Sequence, residues 1–225
     1  MGDVAHELRT PLTTLDGYLE GLEDGVVTPG PETWQLLRRE TARLNRLVGD
    51  LQDLWRAEAR ELPLRLESVD VAAVAGDAVD RARPGASSRQ ITLDLAPASA
   101  DLSALADRDR VAQILDNYLS NALRYAPDGS RVVVSAGLRD GSVVVSVQDF
   151  GPGLTPEQRS QVFERFYRVD PSRSRALGGA GIGLAIVRAL AEAMDGQAWA
   201  VSDGPGAGST FFVSLPQEQS RPVLG

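Results

Sequence analysis

Five leucines near the N-terminus, Leu8, Leu12, Leu15, Leu19 and Leu22, recur at alternating spacings of four and three. On a helix of about 3.6 residues per turn this spacing draws one narrow apolar seam, the pattern of a coiled coil. Gly25 to Pro31 (GVVTPGP) breaks it, and Leu37, Leu44, Leu47, Leu51 and Leu54 resume it in a second helix expected from about Glu32 to Ala59. Two helices cannot enclose a core alone. The seam therefore needs a partner, and dimerisation into a four-helix bundle supplies one.

The helical period fades between Arg60 and Leu66, where Leu62, Leu64 and Leu66 alternate as if pointing one way, and a domain boundary is expected there. The expected division is a helical domain over 1–61, an α/β domain over 62–217 and a C-terminal tail over 218–225. Within the second domain the patterns predict a short helix (Val71 to Arg81), a strand (Ile91 to Leu95) and a longer helix (Asp107 to Tyr125). Two valine-rich strands follow, Arg131 to Leu138 and Ser142 to Gln148, joined by an Asp140-Gly141 hairpin signal. A Gly- and Arg-rich stretch from Gly151 to Gly181 precedes a helix to Met194 and two closing strands, around Gln197 to Ser202 and Ser209 to Leu215. The fold class is α+β: a helical hairpin, then a mixed sheet with one face covered by helices.

Composition narrows the function. The net charge of −8, from 23 basic and 31 acidic residues, opposes a broad grip on nucleic acid or anionic lipid. The absence of cysteine excludes disulfides and thiolate chemistry, and fits an intracellular location. No apolar stretch approaches the roughly 20 residues needed to span a bilayer, so the chain as written is expected to be soluble. Lysine is absent too, which removes both the phosphate-loop lysine and the strand lysine of protein kinases; Asp149-Phe150-Gly151 therefore matches a protein-kinase DFG in letters only.

Several residues could carry chemistry. His6, the only histidine, lies about 200° round the helix from Leu8 and so faces away from the seam, with Thr10 one turn later. A neutral imidazole is a competent nucleophile toward phosphorus, and the neighbouring Glu7 carboxylate can take its other proton, although a solvated helix charge would look the same. Asn117, Asn121 and Arg124 are spaced i, i+4, i+7 on one flank of a helix whose Val111, Leu115, Tyr118 and Ala122 form another. Amide oxygens suit Mg²⁺ and guanidinium suits phosphate, while an exposed helix flank is the plainer reading. Asp149 ends a strand and meets Gly151-Pro152-Gly153, a turn that admits close approach, as many tight turns do; its carboxylate is a suitable acceptor for an exocyclic amine. Gly178 to Gly183 (GGAGIG) runs into a helix that can offer free N–H groups to phosphate, or is simply a loop before a helix. Gly204 to Thr210 (GPGAGST) is the weakest signal, since hairpins often carry such residues.

Taken in order, these segments resemble the sensor histidine kinases over nearly the whole chain. His6 to Pro11 is similar to the family's H box, Asn117 to Tyr125 to its N box, and Asp149 to Gly153 to its first glycine box. Phe163 to Arg168 (FERFYR) is similar to the F box, Gly179 to Leu184 to the second glycine box, and Gly206 to Phe211 to a third.

The resemblance implies a dimerisation and phosphotransfer hairpin followed by an ATP-binding sandwich of the kind shared with gyrase and Hsp90-type chaperones. It implies autophosphorylation of His6 by Mg-ATP and transfer to an aspartate of a response-regulator receiver domain. By matched position Asp149 reads the adenine amine, Asn121 holds Mg²⁺ with help from Asn117, and Arg124 and Arg168 contact phosphates. Tyr125 packs beside the nucleotide, Gly151, Gly153, Gly179, Gly181, Gly183 and Leu184 complete its pocket, and the stretch from Gly153 to Gly181 forms an ATP lid. Thr10 matches a water-positioning threonine of members that also dephosphorylate their partner. Only five residues precede His6, so a sensor and any membrane segment are expected to lie outside this sequence, with the catalytic part on the cytoplasmic side of the cell membrane. The rival readings are an ATPase or chaperone-like module with the same sandwich, and a nucleotide-binding scaffold without activity.

Overall fold

The structure, a computed structural model, describes residues 2–59, 61–97, 102–169 and 181–218. It divides into two compact units, Met1–Trp55 and Arg56–Gly225.

The first unit is the helical hairpin, α1 (Gly2–Glu23) and α2 (Pro31–Glu58), the second helix running on into the next unit. Gly25 takes φ +70 at the turn, where only glycine sits without strain, and the Val27 N–H donates to the Gly21 carbonyl at 2.7 Å. Pro31 opens α2 at a position whose N–H would have no helical partner, and Glu32 adds a favourable charge in its first turn. The seam is incompletely covered. Leu47, Leu51 and Leu54 are buried, but Leu12 and Leu19 are 54% and 52% exposed.

The second unit is built on a five-stranded sheet ordered β2-β4-β5-β7-β6. Its strands are β2 (Thr92–Leu95), β4 (Arg131–Arg139), β5 (Ser142–Asp149), β6 (Gln197–Val201) and β7 (Ser209–Pro216). The β2–β4 pair is parallel and the others are antiparallel, so the sheet is mixed as expected. Helices α3 (Val71–Ser87), α4 (Arg108–Tyr125) and α6 (Gly183–Ala193) pack on its strands. Strand periodicity of two sends Val143, Val145 and Val147 of β5, and Phe211, Val213 and Leu215 of β7, into the core. Asp140 and Gly141, both at positive φ, make the tight β4–β5 turn that their sequence announced.

Four elements and one alternating run depart from the sequence expectation. A separate two-stranded sheet joins β1 (Glu67–Asp70) to β3 (Ser103–Ala106), strands too short to show a period. Helix α3 continues past Arg81 to Ser87 with Pro84 inside it; Ala86 beyond the proline is buried, so packing holds the last turn. Helix α5 (Pro156–Gln161) starts inside the Gly- and Arg-rich stretch, fixed by a capping box between Thr155 and Gln158. The alternation at Leu62, Leu64 and Leu66 is not a strand: Leu62 is buried while Leu66 is 48% exposed.

Candidate functional site

The site is assembled around α4. Asp107 caps its N-terminus, accepting from the N–H groups of Asp109 (3.0 Å) and Arg110 (3.2 Å), while its other oxygen accepts from the Arg65 N–H at 2.8 Å. Val111, Ile114, Leu115, Tyr118, Leu119 and Ala122 face the core. The buried Tyr118 hydroxyl donates to the Phe212 carbonyl of β7 at 2.6 Å, pinning the helix to the sheet, and burial holds this phenol far above its ordinary pKa. Asn117, Asn121 and Arg124 then fall on the half-buried flank, as their spacing requires.

Asn117 is oriented. Its amide N–H₂ donates to the Gln113 carbonyl at 2.9 Å, which leaves the oxygen Oδ1 turned toward the start of α6. A Cβ on Gly183 would lie 2.6 Å from that oxygen, so a side chain there would displace the Asn117 amide. Among the described residues no side chain caps α6 at Ile182, and its first N–H groups can therefore serve an anion. Among the described residues no cluster of three His, Cys, Asp or Glu could hold a metal. The oriented Asn117 amide oxygen beside that helix start fits Mg²⁺, a cation that takes oxygen ligands, and Asn121, one turn on along the same flank of α4, would be the second protein ligand.

Asp149 continues the inward-facing set of β5, which is why a carboxylate sits only 3% exposed. Burial raises its pKa to about 6, against the lowering effect of backbone hydrogen bonds, among them the Gly151 N–H at 2.9 Å. Three glycines let backbone close round it. A Cβ on Gly151 would lie 2.8 Å from both Asp149 Oδ1 and the Tyr125 carbonyl oxygen, and one on Gly208 would strike the Asp149 carbonyl. Gly153, at φ +69, faces Gly204, and the Gly206 N–H donates to the Pro152 carbonyl at 2.6 Å. The segment Gly204 to Thr210, the weakest sequence signal, is thus part of the wall around Asp149.

Ser202 escaped sequence reasoning. Its hydroxyl donates to the Gly208 carbonyl at 2.6 Å and accepts from the Leu154 N–H at 3.0 Å, tying the two glycine loops together. A lone serine between a strand end and a glycine-rich turn was the only signal. Phe150 was also unanticipated; the Arg131 guanidinium lies over its ring at 4.6 Å.

Of the other expected residues, Tyr125, Arg168 and Leu184 are half-buried, the last in the first turn of α6. Gly181, at φ +71, accepts from the Phe166 N–H at 2.9 Å, so it closes against the F-box segment, where Phe166 itself takes φ +60. Gly179 lies outside the described residues. In the other unit His6 and Glu7 belong to α1, but their side chains lie outside the description, and Thr10 is exposed. No described helix is long and apolar enough to cross a membrane.

Two family models match the chain: the histidine kinase-, DNA gyrase B- and HSP90-like ATPase over residues 106–219, and the His Kinase A (phospho-acceptor) domain over 1–60. A relative from Escherichia coli (strain K12), the signal transduction histidine-protein kinase BaeS, is 38% identical over 219 residues, covering 97% of this chain. The chain spans 46% of that relative's length. Among solved structures, the Acinetobacter baumannii histidine kinase AdeS aligns with TM-score 0.80 at 28% identity, covering 95% of this chain and 98% of that one. Full-length ShkA in complex with AMPPNP aligns with TM-score 0.73 at 28% identity, covering 98% and 47%.

Proposed function

Since the chain belongs to the sensor histidine kinase family, we propose that it binds Mg-ATP in its second unit, phosphorylates His6 and passes the phosphoryl group to an aspartate of a response-regulator receiver domain. The observation that carries this reading is the convergence on α4. An oriented amide oxygen and an uncapped helix start lie at one end of the site, and a buried carboxylate at the other. The first pair suits phosphates with their cation; the Asp149 carboxylate suits the adenine amine. ShkA, a solved relative, was captured with an ATP analogue, which supports the same ligand class here.

The chemistry follows from these roles. A His6 ring nitrogen forms a bond to the γ-phosphorus as the bond from that phosphorus to the bridging oxygen breaks, and ADP leaves with the electron pair. Glu7 takes the proton from the other ring nitrogen. Arg124 and Arg168 neutralise charge on the phosphates, and Tyr125 packs beside the nucleotide with Leu184 and Gly151, Gly153, Gly179, Gly181 and Gly183 around it. Bound Mg²⁺, held by Asn121 with Asn117, supplies further charge neutralisation. Thr10 orients a water for dephosphorylation of the partner. The working division is a dimerising phosphotransfer domain over 1–61 and a catalytic domain over 62–217, followed by a tail; the full-length protein is anchored in the cell membrane with this part on the cytoplasmic side.

Incubation with γ-labelled ATP tests the proposal. A labelled protein whose phosphate is lost in acid and kept in alkali is a phosphoramidate, as expected. Release of label only as free phosphate would make the chain an ATPase, and nucleotide binding with no transfer would make it a scaffold.

A further inference from the structure

Helix α3 ends in a tight wrap that aims one side chain at α4. The Ile91 N–H donates back to the Ala86 carbonyl at 2.9 Å with Gln90 at φ +56, the left-handed residue that closes a helix C-terminus. This turn places Arg89 against the last turn of α4. There the guanidinium donates to the Leu123 carbonyl and, at 2.9 Å, to the Ala126 carbonyl, while Nε donates to Asp128 at 2.7 Å. Leu123 and Ala126 flank Arg124 and Tyr125. The Arg89 carbonyl also accepts from the Gly129 N–H at 3.1 Å, so main chain and side chain both grip the loop that leaves α4.

We infer that Arg89 is a positioning residue of the nucleotide site, acting through the end of α4 and touching no ligand itself. The inference rests on the proposed ATP site. Carbonyls at a helix C-terminus need donors and carry partial negative charge, and a fixed fork of N–H groups answers two of them at once. The position of this turn matters because the Tyr125 carbonyl abuts Gly151, whose N–H donates to Asp149. One guanidinium thereby sets Arg124 and Tyr125 on one side and the carboxylate turn on the other. A lysine ammonium is a single point of charge and cannot reproduce the fork.

Autophosphorylation kinetics of the full chain test this. Arg89→Ala is expected to raise the KM for Mg-ATP roughly tenfold, as loss of a supporting contact behind a ligand typically does, with kcat changed less. Arg89→Lys should recover only part of the loss. Added guanidinium, far below denaturing concentration and matched against sodium chloride of equal ionic strength, should return the Arg89→Ala KM toward wild type. Asp128→Asn should leave KM within about twofold, since an exposed ion pair contributes little. A wild-type KM in Arg89→Ala, or a raised KM that guanidinium does not lower, overturns the inference. Should Arg89→Ala fail to fold, an unchanged KM in Arg89→Lys overturns it instead. A wild-type chain without affinity for Mg-ATP would count against the proposed function, whereas an active wild type matched by Arg89→Ala counts only against Arg89.

Discussion

The two units solve the burial problem differently. The second closes its own core: each inward position of β5 and β7 is covered, and α4 is held by a cap at one end, a tyrosine hydroxyl at its middle and a guanidinium at the other. The hairpin leaves Leu12 and Leu19 of its seam in water, together with Trp34 and Val48. A self-sufficient sandwich can hold a nucleotide whatever the first unit does. A hairpin with an open seam has to find another apolar surface, and a second copy offers an identical one.

The largest effect is expected at the seam. Exchanging Leu12 and Leu19 together for asparagine removes four buried leucines from a dimer. Each is already about half covered in a single hairpin, so at about 1.5–3 kcal/mol for full burial the four together contribute about 3–6 kcal/mol, upwards of a hundredfold in dimer affinity, while the second unit should keep its circular dichroism and its nucleotide affinity. Sedimentation across a wide concentration range reads the first effect. A dimer indifferent to both substitutions would mean that the seam is not the interface.

At the other unit, Asp149→Asn sharpens the contrast. It exchanges an acceptor for a donor opposite the adenine amine and should weaken Mg-ATP binding roughly tenfold to a hundredfold by calorimetry, with dimerisation intact. Its pH dependence has a definite sign. The folded pKa is about 6 against an ordinary 3.8, so between those values the native protein holds more protons than the unfolded chain. Stability therefore falls as pH rises through this window and levels off above about 6. ATP needs the ionised form, so wild-type affinity, taken relative to Asp149→Asn, should drop roughly tenfold per pH unit below 6. The hairpin carries a counterpart: burial, with Asp53 beside it, raises Asp50 to about 6 as well. Only the Asp149 contribution to the stability slope should vanish in Asp149→Asn. An unchanged slope would show that the carboxylate is not desolvated in solution.

How much of this was legible in the sequence depended on repetition. The leucine seam, the amphipathic α4 and the valine strands repeat a period over many residues, and the Asp140-Gly141 turn has a local code. The motif residues meet in pairs, Asn117 with Gly183 and Asp149 with Gly151, but what joins the segments around them does not repeat. Ser202, Arg89 and the second oxygen of Asp107 reach partners 34 to 48 residues away along the chain, and no window of sequence contains both ends. The strands β1 and β3 are too short to show a period, and the burial of Ala86 that carries α3 past Pro84 is a tertiary effect with no local signal.

A smaller and more selective effect is expected in the hairpin. Thr10→Ala should retain most autophosphorylation and transfer but lose dephosphorylation of the regulator, because a hydroxyl one turn from His6 can orient water yet is too weak a base to activate the imidazole. Matched assays with a purified regulator would show both activities falling together if Thr10 serves only the helix around Pro11.

The central claim is that the hairpin supplies the nucleophile and the sandwich supplies the nucleotide. His6→Gln tests it most directly, with incorporation of label from γ-labelled ATP and affinity for Mg-ATP measured on the same preparation. Labelling is expected to disappear while affinity stays at the wild-type value. Undiminished label on His6→Gln would contradict it, as would a loss of nucleotide affinity equal to the loss of label.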